Sequence, residues 1–125
     1  MNNWIFSRND NYLLNLIINN KKKATSSLYI AYLKEKEELP KIGDKCCLIN
    51  YNNDKCGYII NTNVRIVKFK EVTVEMAMLE GEGDLSLSYW VNEHKNFFTN
   101  ELKQYNLMFN NDIDIVFEEF TYINF

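Results

Sequence analysis

The sequence predicts an α+β domain in which a small antiparallel sheet, short enough to curl into a β-barrel, is flanked by helices. Two amphipathic segments come first, an alternating segment with a hairpin turn lies in the middle, and a long helical pattern precedes a final alternating segment. The 125 residues are 46% hydrophobic and include 8 Tyr, 8 Phe and 2 Trp. This supply of apolar side chains suits one domain over residues 1–125.

The first two helices are predicted from the spacing of apolar residues. Asp10 is a suitable N-cap, and apolar residues then recur at helical intervals as far as Ile18. After the basic run 21–23, the stretch 26–39 has apolar residues on one side and a Lys/Glu-rich face on the other. We therefore expect a second helix over 26–39.

The strands are predicted from turn residues and alternation. The stretch 40–44, with its proline and glycine, is typical of a turn that leads into a strand over 46–50. The Asn-Asn-Asp-Lys sequence at 52–55 favours a hairpin, and alternation then continues over 56–69. The doubled apolar pairs 59–60 and 66–67 predict either a β-bulge or a strand that is buried on both faces. Alternation over 113–118 predicts a terminal strand.

Two further helices are predicted before that strand. Thr73 can cap a short helix that ends at the acidic, glycine-split loop 80–84. A long helix is expected over 86–104, because ring-bearing and apolar residues recur there every three or four positions and should face the core. The residues of this stripe are Leu87, Trp90, His94, Phe97, Phe98 and Tyr105.

Charge is distributed unevenly along the chain. The formal net charge is −3, which argues against binding of nucleic acid by bulk attraction for phosphates. Residues 1–70 nevertheless carry 12 Lys/Arg and 6 Asp/Glu, while residues 71–125 carry 2 and 11. Either the first half presents a surface to a polyanion, or the two halves neutralise each other within one domain.

Location and redox chemistry are suggested by what the sequence lacks. It has no apolar run near the roughly 18 residues that span a bilayer, and no export signal at its start. We therefore expect a cytoplasmic protein that does not contact membranes. The cysteines 46, 47 and 56 are odd in number, and neighbours on a strand point to opposite faces, so we expect buried thiols rather than a disulfide, a zinc site or any cofactor.

The first candidate for chemistry is the basic run that precedes three hydroxyl-bearing residues. Lys22 lies three positions before Thr25. A lysine at that distance can activate a hydroxyl as a nucleophile if the pKa of the lysine is lowered, so that some neutral amine exists near pH 7. The alternative is a solvated loop between two elements.

The second candidate is the acidic loop Glu80-Gly81-Glu82-Gly83-Asp84. Its three carboxylates repel one another, so one is expected to have a raised pKa or a cationic partner. A proton donor or a lysine clamp would follow, and an exposed acidic turn is the alternative. His94, the single histidine, is interpreted as a hydrogen-bonded core residue or, alternatively, as a general base.

These segments, in this order, resemble the ASCH domain family, which has a PUA-like β-barrel fold. The likeness covers nearly the whole chain, and the combination of motifs is more specific than any one of them. The matching pieces are Trp4-Ile5-Phe6, residues 20–28, 39–44, 69–72 and 80–87, Tyr89-Trp90, His94 and Phe97-Phe98.

The resemblance implies roles for particular residues. The family motif Gly-x-Lys-x-x-Thr falls on Asn20, Lys22 and Thr25, with asparagine in place of glycine; asparagine tolerates a positive φ. In members that resemble amidohydrolases of acetylated cytidine, the motif implies Lys22 as proton acceptor, Thr25 as nucleophile and Glu82 as proton donor. Longer relatives tend to have a basic residue where this chain has Val91. The remaining candidate ligand-binding residues are Lys21, Lys23, Ser26, Glu80, Asp84, Trp90 and His94.

Three functions are compatible with this sequence. The first, which we favour, is a pocket of Lys22, Thr25 and Glu82 that binds RNA, a nucleoside or a nucleotide. The second is a hydrolase of modified nucleosides or of RNA, with the same residues in the catalytic roles above. The third is a non-catalytic adaptor, in which Lys22 and Glu82 lie apart and an exposed apolar patch carries the function. The sequence leaves the oligomeric state open.

Overall fold

The computed structural model describes residues 11–125 and the backbone of residues 2–5. The strands are β1 (Asn2–Ile5), β2 (Ala24–Leu28), β3 (Lys45–Ile49), β4 (Lys55–Lys68) and β5 (Asp114–Ile123). The helices are α1 (Tyr12–Ile18), α2 (Tyr29–Glu35), α3 (Val74–Glu80) and α4 (Leu87–Lys103), and a 3-10 turn covers Phe69–Glu71. The predicted α+β class is thus confirmed.

The five strands form one sheet in the order β1-β3-β4-β5-β2. The neighbours β3/β4, β4/β5 and β5/β2 are antiparallel, and β1 runs parallel to β3. The sheet curls into a half-barrel. The register of β4 shifts between Asn61 and Asn63, so the bulge lies there rather than at the doubled apolar pairs. The parallel strand β1 was not foreseen.

Two apolar clusters hold the helices against the sheet. The larger one joins β2, β5 and the 3-10 turn to α3 and α4, and its largest members include Phe69, Trp90, Phe98 and Phe117. The smaller one packs α1 against β3, β4 and the far part of β5. Strand β5 contributes Ile115 and Phe117 to the larger cluster and Phe120 to the smaller one, and all of its residues 115–118 are buried.

The prediction of a helix over 26–39 is wrong for the first part of that segment. Residues Ala24–Leu28 form β2, and α2 follows over Tyr29–Glu35. The backbone of β2 pairs with β5, in the register Ser26↔Phe117, which is separated from it by about 90 positions. The local spacing of apolar residues carries no information about this long-range pairing. The pairing with β5 determines the structure of 24–28 in spite of the helical spacing.

Helix capping follows the sequence closely. The Thr73 hydroxyl accepts a hydrogen bond from the Met76 N–H at 3.2 Å, and the Ser86 hydroxyl accepts one from the Tyr89 N–H at 3.0 Å. Both predicted helix starts are therefore confirmed. The predicted N-cap of α1, Asp10, lies outside the described residues.

The ring-rich stripe of α4 faces the core only in part. Trp90 and Phe98 are buried, whereas Phe97 is 52% exposed. Successive residues on a helix differ in direction by about 100°, so burying Phe98 places Phe97 at the edge of the core. The prediction that every ring of the stripe is a core residue is wrong for Phe97.

The cysteines are free thiols, of which Cys46 and Cys47 are buried and Cys56 is half-buried. The described residues contain no group of three or more His, Cys, Asp or Glu side chains arranged to hold a metal ion. Within the same part of the chain, no helix combines the length and the apolar character needed to span a bilayer.

The end of α3 is fixed against the segment that follows α1. Gly81 ends the helix with a φ of +73°, and a Cβ atom built there would overlap the backbone carbonyl of Lys21. The Lys23 N–H also donates to the Leu79 carbonyl at 2.7 Å. These contacts bring the basic run and the acidic loop together.

We predict that Gly81→Ala destabilises the fold far more than Gly43→Ala. Gly43 also has a positive φ, +91°, but a Cβ there would meet no atom within 4 Å. Gly43→Ala should therefore cost only backbone strain, about 1 kcal/mol, whereas Gly81→Ala adds a steric overlap and should cost about 3 kcal/mol or more. Urea denaturation of both variants measures the difference; equal losses would mean that the contact of Gly81 with Lys21 does not matter.

Candidate functional site

A buried carboxylate, Glu80, lies at the centre of the candidate site. It is the last residue of α3 and is 1% exposed. Its Oε2 accepts hydrogen bonds from the Ser26 hydroxyl at 2.5 Å and from the Trp90 indole N–H at 2.6 Å. Its Oε1 lies 3.5 Å from Lys22 Nζ and 3.3 Å from His94 Nε2. Four segments of the chain thus meet at one side chain.

The contacts of Glu80 determine its protonation. Burial by itself raises the pKa of this carboxyl, but the hydrogen bond from His94, the charge of Lys22 and the hydrogen bond from Ser26 act in the opposite direction and lower the pKa to about 2. Glu80 is therefore ionised near neutral pH. The expectation of a cationic partner for the acidic loop is met, and Glu80 does not have the raised pKa of a proton donor.

Lys22 is buried although it belongs to a basic run, since it is 2% exposed. Asn20, with a φ of +58°, turns the chain after α1 and takes the place of the motif glycine. The Lys22 Nζ donates to Glu82 Oε2 at 2.8 Å and to the Glu80 carbonyl at 3.3 Å, and Glu80 Oε1 lies nearby. These three acceptors match the three N–H donors of an ammonium group.

His94 is held by α4 itself. Its ring stacks on the Trp90 ring with a centroid distance of 4.1 Å and an interplanar angle of 14°. Its Nδ1 lies 2.9 Å from the Trp90 carbonyl and its Nε2 lies 3.3 Å from Glu80 Oε1. Both of these partners are hydrogen-bond acceptors. The arrangement agrees with a hydrogen-bonded histidine at the edge of the core.

A pocket of about 190 Å³ opens beside this cluster. Thr25 lines it, but in the described part of the chain the Thr25 hydroxyl makes no hydrogen bond, and the hydroxyl that contacts the cluster belongs to Ser26. The lining residues are Leu13, Lys22, Thr25, Ser26, Glu80, Glu82, Glu93, His94 and Phe97.

Sequence reasoning missed three of these residues as part of the site. Leu13 was interpreted as a helix residue only, Phe97 as core, and Glu93 was not singled out. The positions of Glu93 and Phe97 were accessible from helical spacing, because both lie within one turn of His94 on α4.

Four predicted ligand-binding residues lie outside the pocket lining, and one of them, Trp90, is buried and donates its indole N–H to Glu80 instead. Lys21 and Lys23 are exposed on either side of the buried Lys22. Asp84 is exposed too, and its carboxylate accepts a hydrogen bond from the Ser86 N–H at 2.9 Å, at the start of α4. Lys22 and Glu82, by contrast, are in direct contact, which is the arrangement that the adaptor hypothesis excluded.

The half-barrel with its flanking helices and its buried Lys–Glu cluster defines a PUA-like α+β domain. The ASCH domain family model matches residues 2–124. The chain therefore belongs to the ASCH domain family, whose PUA-like fold is generally linked to RNA binding.

Solved structures agree with this assignment. The chain is similar to an ASCH domain from Lactobacillus crispatus JV V101, with 28% identity, a TM-score of 0.93, and coverage of 99% of this chain and 80% of that one. It is also similar to protein EF3133 from Enterococcus faecalis V583, of family DUF984, with 30% identity, a TM-score of 0.89, and coverage of 99% and 77%. A comparison with curated proteins finds no match.

We predict that Glu80 stabilises the fold at neutral pH and loses this effect in acid. Its pKa in the folded protein, about 2, lies below the ordinary value of 4.5, so its stabilising contribution is complete above pH 4.5 and falls as the pH drops towards 2. A shift of this size corresponds to a contribution on the order of 3 kcal/mol. Urea denaturation of the wild type and of Glu80→Gln should show a gap in unfolding free energy at pH 7 that narrows by pH 3.

The exposed Glu75 provides the matched control for that comparison. Glu75→Gln should change the unfolding free energy by less than about 0.5 kcal/mol at both pH values. A gap between the wild type and Glu80→Gln that stays constant from pH 7 to pH 3 would contradict the assignment of a lowered pKa to Glu80.

Proposed function

We propose that the pocket beside Lys22 and Glu82 binds a nucleoside, either free or as an unpaired nucleotide of RNA. The observation that carries this proposal is the 2.8 Å contact between Lys22 Nζ and Glu82 Oε2 at the pocket lining. The lysine is neutralised by its carboxylate partners, so the pocket offers mainly hydrogen-bond acceptors rather than a phosphate-binding cation. Family membership supports an RNA-related ligand.

The size of the pocket and its acceptors favour a single base. A volume of about 190 Å³ is below the range of roughly 300–1,000 Å³ for sites that bind drug-sized ligands. Glu82, whose side chain is 22% exposed, and the exposed Glu93 present carboxylates at the opening. Carboxylates accept hydrogen bonds from exocyclic amino groups such as N4 of cytosine. A base with an exocyclic amino group therefore fits this set of side chains.

Phe97 supplies the apolar partner that base recognition needs. Its ring is 52% exposed, although it also lines the pocket. An exposed ring beside acceptors offers a surface on which a base can stack, and such stacking is worth about 1–3 kcal/mol per base. The exposed ammonium groups of Lys21 and Lys23, on either side of Lys22, are available to phosphates outside the pocket.

Hydrolysis by the same residues is the second candidate. The presence of Lys22, Thr25 and Glu82 on one pocket favours it. In its present contacts, however, Lys22 donates to the Glu80 carbonyl and to Glu82 and lies 3.5 Å from Glu80 Oε1. It does not hydrogen-bond the Thr25 hydroxyl, so the contact between a nucleophile and its base is not formed. Binding without chemistry fits these contacts better.

We predict that Phe97→Ala weakens the binding of cytidine and of short single-stranded RNA about tenfold, because it removes the stacking surface. Isothermal titration calorimetry with cytidine, N4-acetylcytidine, uridine and a cytosine-rich oligonucleotide provides the measurement. The control is Leu33→Ala, which removes an apolar side chain that is 57% exposed on α2 and outside the pocket. Equal affinities of Phe97→Ala and the wild type would contradict a stacking role.

The acceptor role of Glu82 is tested separately. Glu82→Gln keeps the shape of the side chain and removes its charge, so we expect a loss of affinity of about fivefold or more for cytidine and a smaller loss for uridine, which lacks the amino group. Glu75→Gln on the exposed face of α3 is the matched control. If no nucleoside or oligonucleotide binds the wild type, the proposed function is wrong.

Turnover separates the two candidate functions. If the protein only binds, incubation with N4-acetylcytidine and with RNA gives no product, and Thr25→Ala keeps the wild-type affinity. If it is a hydrolase, product forms with the wild type and is lost in Thr25→Ala while affinity persists. Chromatography of the reaction mixture distinguishes these outcomes, with Thr99→Ala on α4 as the control substitution.

A further inference from the structure

A second cavity, of about 700 Å³, lies between α2, the turn before β3, and the strands β4 and β5. Glu118 of β5, Asn61 of β4 and Tyr32 of α2 line it together with Asp44. Among the described residues, none lines both this cavity and the Lys22 pocket. The two are therefore separate sites on the same sheet.

The feature that points to a ligand is the buried side chain of Glu118. It is 2% exposed, and its Oε1 accepts one hydrogen bond, from Asn61 Nδ2 at 3.0 Å. Within residues 11–125, no other hydrogen-bond donor and no cation contacts this carboxyl group. A carboxylate has about four acceptor positions, and burying one without partners is unfavourable.

The surroundings of Glu118 add negative charge. Burial raises the pKa of the Glu118 carboxyl, the hydrogen bond from Asn61 lowers it, and the nearby charge of Asp44 raises it again, with a net increase. Glu37 and Glu38 also line the cavity. A positively charged group placed beside Glu118 would supply the missing hydrogen-bond donors, and its charge would offset the repulsion between Glu118 and Asp44.

The two lysines that line the cavity have partners other than Glu118, and one of these partners, Glu38, also lines the cavity. The Lys41 ammonium lies 3.9 Å from Glu38 Oε2, and the Lys45 ammonium lies over the Tyr58 ring at 5.8 Å from its centroid. Neither forms an ion pair with Glu118 or Asp44. Glu118, the one buried carboxylate that lines this cavity, therefore has no matching cation among the described residues.

We propose that this cavity binds a small organic cation, a molecule carrying a guanidinium or a primary ammonium group, with Glu118 as the buried carboxylate that accepts its N–H donors. Asp44 provides a second negative charge, and the amide oxygen of Asn61 and the Tyr32 hydroxyl provide further polar contacts. An organic cation fits better than a metal ion, because the described residues contain no cluster of three metal-ligating side chains. This site goes beyond the proposed nucleoside pocket.

The test uses agmatine, which carries a guanidinium and an ammonium group, and 1-butylurea, which is neutral and of similar shape. Titration calorimetry should give agmatine a dissociation constant below about 1 mM and show no binding of 1-butylurea. Glu118→Gln should weaken agmatine binding about tenfold or more. The control is Glu119→Gln, the next residue on β5, whose carboxylate contacts Asn63 and Arg65 instead; it should change the affinity less than about twofold.

Two further measurements keep the result interpretable. Thermal melting checks that Glu118→Gln is folded, and Asp44→Asn, which retains an acceptor for the Lys41 N–H, provides a second substitution that should also weaken agmatine binding. In a 15N-edited NMR titration, agmatine should shift the Asn61 side-chain amide. Shifts confined to residues 80–83, equal affinity for 1-butylurea, or an unchanged affinity in Glu118→Gln would each overturn the proposal.

Discussion

The fold depends on keeping one carboxylate, that of Glu80, charged inside the protein. Removing a carboxylate from water is costly unless donors replace the water molecules. Here the donors come from a loop, a strand and a helix: Lys22, Ser26, and the Trp90–His94 pair one turn apart on α4. These donors lie on separate elements of the fold. All of the hydrogen-bond acceptor positions of Glu80 on α3 are therefore filled only when β2 and α4 are docked against α3 at the same time. Loss of a neutral donor such as Ser26 leaves the buried charge less satisfied at a cost of about 1–3 kcal/mol, and loss of the Lys22 charge costs about 3–5 kcal/mol.

The same requirement builds the pocket. The Lys22 ammonium is buried beside the Glu80 carboxylate. Gly81 allows the chain to turn after α3, so that Glu82 contacts the same ammonium at 2.8 Å. The pocket is therefore lined by groups whose positions are already determined by folding, which lowers the reorganisation needed when a ligand binds. Its electrostatics cannot be altered independently of stability, because a substitution at Lys22 changes both. Phe97 is half exposed and lies at the edge of this network, so it is a position where ligand preference can vary at little cost in stability, whereas Glu82 is a partner of the buried Lys22 ammonium.

The sequence predicts those features that depend on neighbouring residues. The cap Thr73, the hairpin after β3, and the start and extent of α4 follow from local signals, and the structure agrees with them. The strand β2 was mistaken for the start of a helix because its hydrogen bonds go to β5, far along the chain. Likewise, three carboxylates in one loop look equivalent in sequence. Only the approach of Trp90 and His94 distinguishes Glu80, as the structural anchor with a lowered pKa, from Glu82 at the pocket. The proximity of Lys22 and Glu82 follows from the family resemblance. The spacing of the two residues along the chain does not predict it.

Two carboxyl groups that are almost equally buried behave in opposite ways. Glu80 is 1% exposed and Glu118 is 2% exposed, yet the pKa of Glu80 is lowered and that of Glu118 is raised. Burial raises the pKa of both groups, so the difference comes from their partners: Glu80 has donors from four side chains, two of which can carry positive charge, whereas Glu118 has the amide of Asn61 and the repulsion of Asp44. A carboxylate with a full set of donors has little left to offer a ligand and serves the fold. A carboxylate with one donor beside a large cavity retains acceptor capacity, and selection for stability alone would replace it by an apolar residue. The contrast therefore agrees with a role of Glu80 in stability and with the cation site proposed at Glu118.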